Sequence, residues 1–158
     1  MNFYQSAGSL VLGSRLRRIG EKFLSEVAKV YEMKGIDFDP SWFPIFYLLD
    51  KNTSMSLREI SDELGVSHSA VSQLTTALIK KGHLLMEKDI NDGRKRILQL
   101  TPQGESLVET SKPIWSALQA SVKELSALGD NRLLEELTTL ENSLSERNLS
   151  DRVLEKLK

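Results

Sequence analysis

Residues 56–104 read SLREISDELGVSHSAVSQLTTALIKKGHLLMEKDINDGRKRILQLTPQG, and the fold turns on how this stretch is read. It contains two short helical segments, 56–64 and 67–81, joined at Gly65. Leu57, Ile60 and Leu64 form the apolar face of the first, and Val71, Leu74 and Leu78 that of the second, at the three-and-four spacing of a helix. Gly82 is a stop after Lys80-Lys81, whose cations suit the negative end of a helix dipole. Two strand candidates follow, His83 to Lys88 and Arg94 to Leu100, around the turn-forming cluster Asp89-Ile90-Asn91-Asp92-Gly93. Thr101 then caps a new helix with Pro102 at its first position, where no backbone donor is needed. Helix, glycine turn, helix and hairpin in this order make a winged helix-turn-helix.

Upstream, from Tyr4 to about Lys34, Leu12, Leu16, Ile19, Phe23, Val27 and Val30 predict a helix with one buried stripe. Asp37-Phe38-Asp39-Pro40-Ser41 breaks it, and Ser41 is expected to cap a helix containing Trp42, Phe46, Leu48 and Leu49, with Pro44 in its first turn. Asn52-Thr53-Ser54 closes that helix. Downstream, Pro113 predicts an interruption or kink, and Gly129-Asp130 a further break. Leu133, Leu137, Leu140 and Leu144 then form a heptad-like seam, and Asn148-Leu149-Ser150 separates a final short helix through Val153 and Leu157. The fold class is mainly α with a small β-hairpin wing, without internal repeats or low-complexity linkers.

Composition narrows the chemistry. The chain has 158 residues, 40% hydrophobic and 27% charged, the profile of a globular protein with material for a core. It has no cysteine and two histidines, which excludes disulfides, thiolate nucleophiles and thiolate-ligated zinc. No metal or cofactor is expected. No apolar run approaches the roughly 18 residues of a membrane span, and Met1-Asn2-Phe3-Tyr4 lacks the basic start of a signal peptide, so a cytoplasmic protein is the default. Gly-rich phosphate loops, Gly-x-Ser-x-Gly elbows and metal-ligand spacings are missing from the sequence, which argues against an enzyme. The net charge is -1, but residues 66–96 carry six Lys/Arg against three acids, while 35–65 carry two against six. One locally basic segment on a weakly acidic chain suits a polyanion.

Successive residues of the helix over 67–81 turn by about 100° each. Val71, Leu74, Thr75 and Leu78 fall on one side; Ser69, Ser72, Gln73, Thr76 and Lys80 fall opposite, with no acid among them. Such small, hydrogen-bonding groups suit base edges and phosphates, though an ordinary amphipathic helix also has a polar wet face. Ser67 is the expected N-cap of a helix end that favours phosphate, and His68 is a polar residue beside it. The hairpin adds Arg94-Lys95-Arg96 next to a tight turn, cations that suit a minor groove, and Asp92 is expected to orient Arg94 through a carboxylate–guanidinium pair. The alternative is a solubilising edge strand. His83 reads as a surface strand residue rather than a ligand.

The run from Asp92 to Gly104 resembles the wing and following helix start of MarR-type regulators: Asp-x-Arg, a basic residue two further on, an apolar strand, then Leu-Thr-x-x-Gly. Ser56 to Leu74 and Lys80-Lys81-Gly82 resemble their helix-turn-helix. The resemblance covers about residues 40–110 by motif and the whole chain by element order. It implies a single chain, 1–158, with a DNA-binding lobe at 40–104 and a helical dimerisation body at 4–34 and 105–158. It further implies a homodimeric transcription factor, usually a repressor, which reads a palindromic operator in double-stranded DNA and is released by a small aromatic or anionic effector. On that likeness Arg94 takes the place of the wing arginine and Asp92 of its partner, with Ser67, Ser69, Ser72 and Gln73 on the recognition helix. Gln73 stands where Arg is frequent; Gln pairs well with adenine rather than guanine edges, so the base preference of other members does not carry over.

A dimer is also expected from the stripes Leu12/Leu16/Ile19/Phe23 and Leu133/Leu137/Leu140/Leu144, which need an apolar partner unless they pack on each other. Tyr31, Trp42, Phe46, Tyr47 and Trp115 can wall an effector pocket or serve as core aromatics. Two other functions stay open at this level: a winged helix used only for protein contacts, and the regulatory part of a longer acyltransferase fusion, for which a chain ending at Lys158 is expected to leave no room unless it is a fragment of a longer protein.

Overall fold

The computed structural model describes residues 2–127 and 132–157. They divide into two compact units, Met1–Trp115 and Ser116–Lys158. In the first, α1 (Phe3–Ser6) and a 3-10 turn (Gly8–Val11) precede α2 (Leu12–Met33). The one long helix expected from Tyr4 is thus divided, because Ser6-Ala7-Gly8-Ser9 puts a glycine and two serines in one turn, all weak helix formers. Asp39, rather than Ser41, caps the next segment: its Oδ1 accepts the Ser41 N–H at 2.8 Å and starts a 3-10 turn (Pro40–Trp42) that runs into α3 (Phe43–Asn52). Pro44 falls in the first turn of α3, as its missing donor requires.

Thr53 turns the chain out of α3 with φ 62° and ψ −48°, and β1 (Ser54–Ser56) follows. This strand was not expected from the sequence. It pairs antiparallel with β3 (Arg96–Leu100), which also pairs with β2 (Leu84–Lys88), giving the sheet order β1-β3-β2. The register Leu84 opposite Leu100 and Lys88 opposite Arg96 leaves residues 89–95 as the wing loop, so Arg94 and Lys95 lie outside the strand.

Ser56 ends β1 and caps α4 (Leu57–Leu64) through a reciprocal box. Its Oγ accepts the Glu59 N–H at 3.2 Å, and its own N–H donates to Glu59 Oε2 at 2.7 Å. Gly65 then takes φ 62°, a left-handed turn that L side chains disfavour. Ser67 accepts the Ala70 N–H at 3.2 Å to begin α5 (His68–Lys80). Val71, Thr75 and Leu78 of α5 are buried; the Thr75 hydroxyl meets its needs by donating to the Val71 carbonyl at 2.8 Å.

Thr101 joins the wing to α6 (Pro102–Ala127). Its Oγ1 accepts the Gly104 N–H at 3.1 Å and donates to the Gly82 carbonyl at 2.6 Å, while its N–H donates to the His83 carbonyl at 3.0 Å. Only glycine fits at 104, since a Cβ would lie 2.2 Å from the His83 carbonyl oxygen. Pro113 does not interrupt α6; the carbonyl it leaves without a helical donor belongs to Glu109, an exposed residue. The core brings together Ile45, Phe46, Leu49, Ile60, Leu78, Leu84, Leu98 and Val108, each at most 2% exposed. Burial of such side chains contributes about 1.5–3 kcal/mol apiece.

The second unit holds α7 (Leu133–Glu146) and α8 (Leu149–Lys156). Arg147, in extended conformation, ends α7 where the sequence predicts a break. Arg152 Nη2 donates to the Ser143 carbonyl at 2.8 Å and Arg147 Nη2 to Glu155 Oε2 at 2.7 Å, which tie the two helices. The expected break at Gly129-Asp130 lies outside the described residues.

Candidate nucleic-acid interface

The outward face of α5 matches its helical-wheel reading. Ser67, His68, Ser69, Gln73, Thr76 and Lys80 are exposed and Ser72 is half-buried, against the buried Val71, Thr75 and Leu78. Thr76 Oγ1 donates to the Ser72 carbonyl at 2.7 Å, so the Ser72–Thr76 step is satisfied locally and keeps its acceptor capacity outward.

The wing loop is built from its own acids. Asp89 Oδ1 accepts the N–H groups of Asn91 and Asp92 at 2.7 and 3.2 Å, and the Asp89 N–H donates to the Lys95 carbonyl at 2.9 Å. Asp92 corrects the expectation of a guanidinium pair: its Oδ1 accepts the backbone N–H of Arg94 at 3.0 Å. An Asp two residues before a backbone donor closes a turn without spanning to a long side chain. Both carboxylates are therefore spent on loop geometry, and Arg94, Lys95 and Arg96 project as exposed cations.

A cleft of about 600 Å³ joins the two parts. His68 from the start of α5 and Arg94, Lys95 and Arg96 from the wing line it, with Ser56, Arg58, Glu59 and Asp62 from the start of α4. The start of α5 and the wing loop thus share one side of this unit. Arg58 was not among the expected residues; its only sequence signal is the i,i+4 spacing to Asp62, which it meets at 3.7 Å. The Glu59 carboxyl is held below its ordinary value by the Ser56 backbone N–H and hydroxyl, with Lys95 adding to the effect. The acids of the cleft are thereby partnered, and the wing cations remain for a polyanion.

The five aromatics take two different positions. Tyr31, Trp42 and Phe46 are buried. They surround Phe38, which stacks on Tyr31 at 4.7 Å between centroids and meets Phe46 at 5.3 Å and Trp42 at 5.7 Å edge-on. Tyr47 is exposed, and the half-buried Trp115 lies 6.5 Å from it while donating its Nε1–H to the Tyr31 hydroxyl at 2.7 Å. The Tyr31 phenol is pushed up by burial. His83 is not on the surface: the turn between α5 and β2 folds under α6 and buries its ring, 5.9 Å from both Trp42 and Phe46. On the stripes, Leu12, Leu16, Ile19, Phe23, Leu133 and Leu144 are exposed and Leu137 and Leu140 half-buried. Among the described residues no helix is long and apolar enough to cross a membrane, and no cluster of metal-ligating side chains occurs.

Comparison with known proteins agrees with this geometry. The MarR family model matches residues 36–95, the helix-turn-helix and most of the wing. No curated protein matches the sequence. Among solved structures, the chain is similar to a MarR/EmrR family transcriptional regulator from Acinetobacter sp. ADP1, with TM-score 0.73 and 20% identity over 93% of this chain and 100% of that one. It is similar to the transcriptional repressor CouR bound to a 23-mer DNA duplex, with TM-score 0.68 and 20% identity over 92% and 99% of the two chains. BpsR of Bordetella bronchiseptica, whose DNA binding is regulated by 6-hydroxynicotinic acid, matches with TM-score 0.65 and 20% identity over 87% and 94%. At these identities the likeness is one of fold, and the fold is the winged helix expected from the sequence.

Proposed function

We propose that this MarR-type winged-helix chain is a sequence-specific DNA-binding transcriptional regulator, a homodimeric repressor released by a small-molecule effector. The observation that carries the reading is the shared cleft of His68 and Arg94–Arg96, set beside an exposed α5 face without acids. In this reading α5 enters the major groove with Ser69, Ser72, Gln73 and Thr76 toward base edges. Ser67, the α5 N-terminus and Lys80 meet phosphates, and Arg94, Lys95 and Arg96 reach the neighbouring minor groove. Gln73 selects adenine. A second copy covers the exposed stripes of α2 and α7, and two-fold symmetry then sets two lobes on a palindrome with half-sites about one helical turn apart.

The fold shared with the duplex-bound CouR supports the DNA reading, and BpsR supports release by an aromatic acid. Exposed Tyr47 and half-buried Trp115 supply the aromatic edge for an effector, whereas Tyr31, Trp42 and Phe46 support it from the core. The test is selection of bound duplexes from a random pool at two salt concentrations. A palindrome whose affinity falls steeply with salt is expected, because phosphate contacts release counterions. Arg94→Ala should weaken binding to all sequences and lower the salt slope by about 1, while Gln73→Ala should relax one base pair at a cost of about 1–3 kcal/mol. Recovery of no sequence, with no salt-sensitive affinity, would leave the protein-interaction module as the function.

A further inference from the structure

Asp92 and Gly93 stand together in the wing loop, both exposed, and no other aspartate and no asparagine in the sequence precedes a glycine. We propose that Asp92 is a self-modification site: its side-chain carboxyl and the Gly93 nitrogen close to a succinimide that reopens as isoaspartate and displaces the cations of the wing. The chemical step is independent of the DNA-binding reading; its consequence for affinity rests on that reading.

Three features of the loop point the same way. First, the nucleophile is unhindered, since even a Cβ built at Gly93 would meet nothing within 4 Å. Glycine, with no Cβ of its own, lets its nitrogen approach a neighbouring carbon that a larger residue would shield. Second, that nitrogen is unengaged: the Gly93 N–H donates to no group among the described residues. Third, the electrophile is folded back toward it. Asp92 Oδ1 accepts the Arg94 N–H at 3.0 Å, and the hydrogen-bonded ring closed in this way contains the Gly93 nitrogen. The carboxyl carbon is thus kept along the following peptide, while Oδ2 takes no part in that bond and is the oxygen to depart. The other acid of the loop lacks this combination, because Asp89 precedes Ile90, whose branched Cβ crowds the nitrogen beside it.

The step needs no co-reactant but water. The Gly93 nitrogen bonds to Asp92 Cγ and the Cγ–Oδ2 bond breaks; the nitrogen's proton and the carboxyl hydroxyl leave as one water. Water then opens the ring. Attack at Cγ restores aspartate. Attack at the Asp92 main-chain carbonyl carbon breaks its bond to the Gly93 nitrogen, which regains its proton, and leaves a carboxylate on Cα. The main chain now runs through Cβ and Cγ and is one atom longer. The lost carbonyl is the one that accepts the Lys95 N–H at 2.8 Å, and the Arg94 N–H loses its side-chain acceptor as well. At the root, the Asp89 N–H donates to the Lys95 carbonyl at 2.9 Å, so the extra atom is taken up at the tip, where Arg94 sits.

The experiment ages the full chain without DNA in warm, mildly acidic buffer and maps its peptides with an isoaspartyl carboxyl methyltransferase. Isoaspartate at 92 is expected, with Asp89 unchanged and formation several-fold slower in Gly93→Ala, a change that the open position admits without a positive φ. Amide NMR of the isolated isoaspartate form should move Arg94 and Lys95 and leave Leu98 in place. No isoaspartate at 92, equal formation at Asp89, an unslowed Gly93→Ala variant or unmoved Arg94 and Lys95 amides each overturns the proposal. On a duplex that the unaged protein selects, the isoaspartate form should bind roughly tenfold more weakly, the factor for one displaced charged contact, and equal affinity overturns the displacement. Because mapping and NMR use no DNA, failure of the duplex selection leaves this site standing, and failure of the site leaves the regulator reading standing.

Discussion

Gly104→Ala sets two effects of opposite sign against each other. Replacing glycine by alanine in a helix ordinarily stabilises by about 0.5–1 kcal/mol, through the entropy of the unfolded chain. Here the added Cβ meets the His83 carbonyl oxygen at 2.2 Å, with the His83 carbonyl carbon and Leu100 Cδ2 at 3.2 Å, whereas ordinary contact begins near 3.4 Å. The first turn of α6 must therefore retreat by about 1 Å from a backbone group that cannot rotate away. That retreat stretches the Thr101 N–H bond to the same carbonyl, now 3.0 Å. Overpacking of this kind costs about 1–3 kcal/mol, and a weakened hydrogen bond roughly 1 more. Steric cost exceeds the helical gain, leaving a net loss of about 1–3 kcal/mol, or several degrees in Tm for a chain of this length. Urea unfolding followed by circular dichroism reads this directly, at one fixed protein concentration so that any association is held constant. An alanine variant as stable as the parent, with an unchanged m value, would refute the close approach on which α6 is seated.

Tyr31→Phe removes the acceptor of the Trp115 Nε1–H, and should lower stability by about 1–2 kcal/mol; a change in urea midpoint too small to resolve would count against that bond. Thr53→Gly should raise stability by up to about 1 kcal/mol, because φ 62° with ψ −48° strains a β-branched residue more than glycine loses in entropy, and an unchanged or lower midpoint would oppose this. For Glu59, the folded-state carboxyl is depressed by the Ser56 N–H, so its contribution is present above the ordinary carboxylate value and lost as pH falls through the lowered one. The stability gap between the parent and Glu59→Gln should therefore narrow from pH 6 to pH 3, and a constant gap would show that the ionised cap contributes nothing.

Local signals were legible wherever one residue type met one backbone demand. Ser67 as a cap, the buried stripe of α5, Thr101-Pro102 and the turn cluster of the wing all follow from short-range chemistry. What escaped depends on distant partners. Strand β1 is three residues, Ser-Met-Ser, with too little alternation to announce itself; its pairing with β3 comes from a segment more than forty residues away. Phe38 sat inside an acidic break that read as a loop, yet it is the ring on which Tyr31, Trp42 and Phe46 converge. His83 read as surface because its neighbours Gly82 and Lys81 are polar punctuation, and only the arrival of α6 at Thr101 buries it. Asp92 was legible as a wing residue but not in its bond, since turn closure two residues on competes with a guanidinium that must be reached through a longer side chain.

The sheet order also bears on how a wing of this kind can vary. With β3 gripped along both edges, by β1 and by β2, the hairpin is rooted in the lobe's own frame, and freedom is confined to the seven positions 89–95. Adding or removing a residue there would lengthen or shorten the arm that carries Arg94 and Lys95 without disturbing the root. The reach of those cations can thus be retuned separately from the seat of α5.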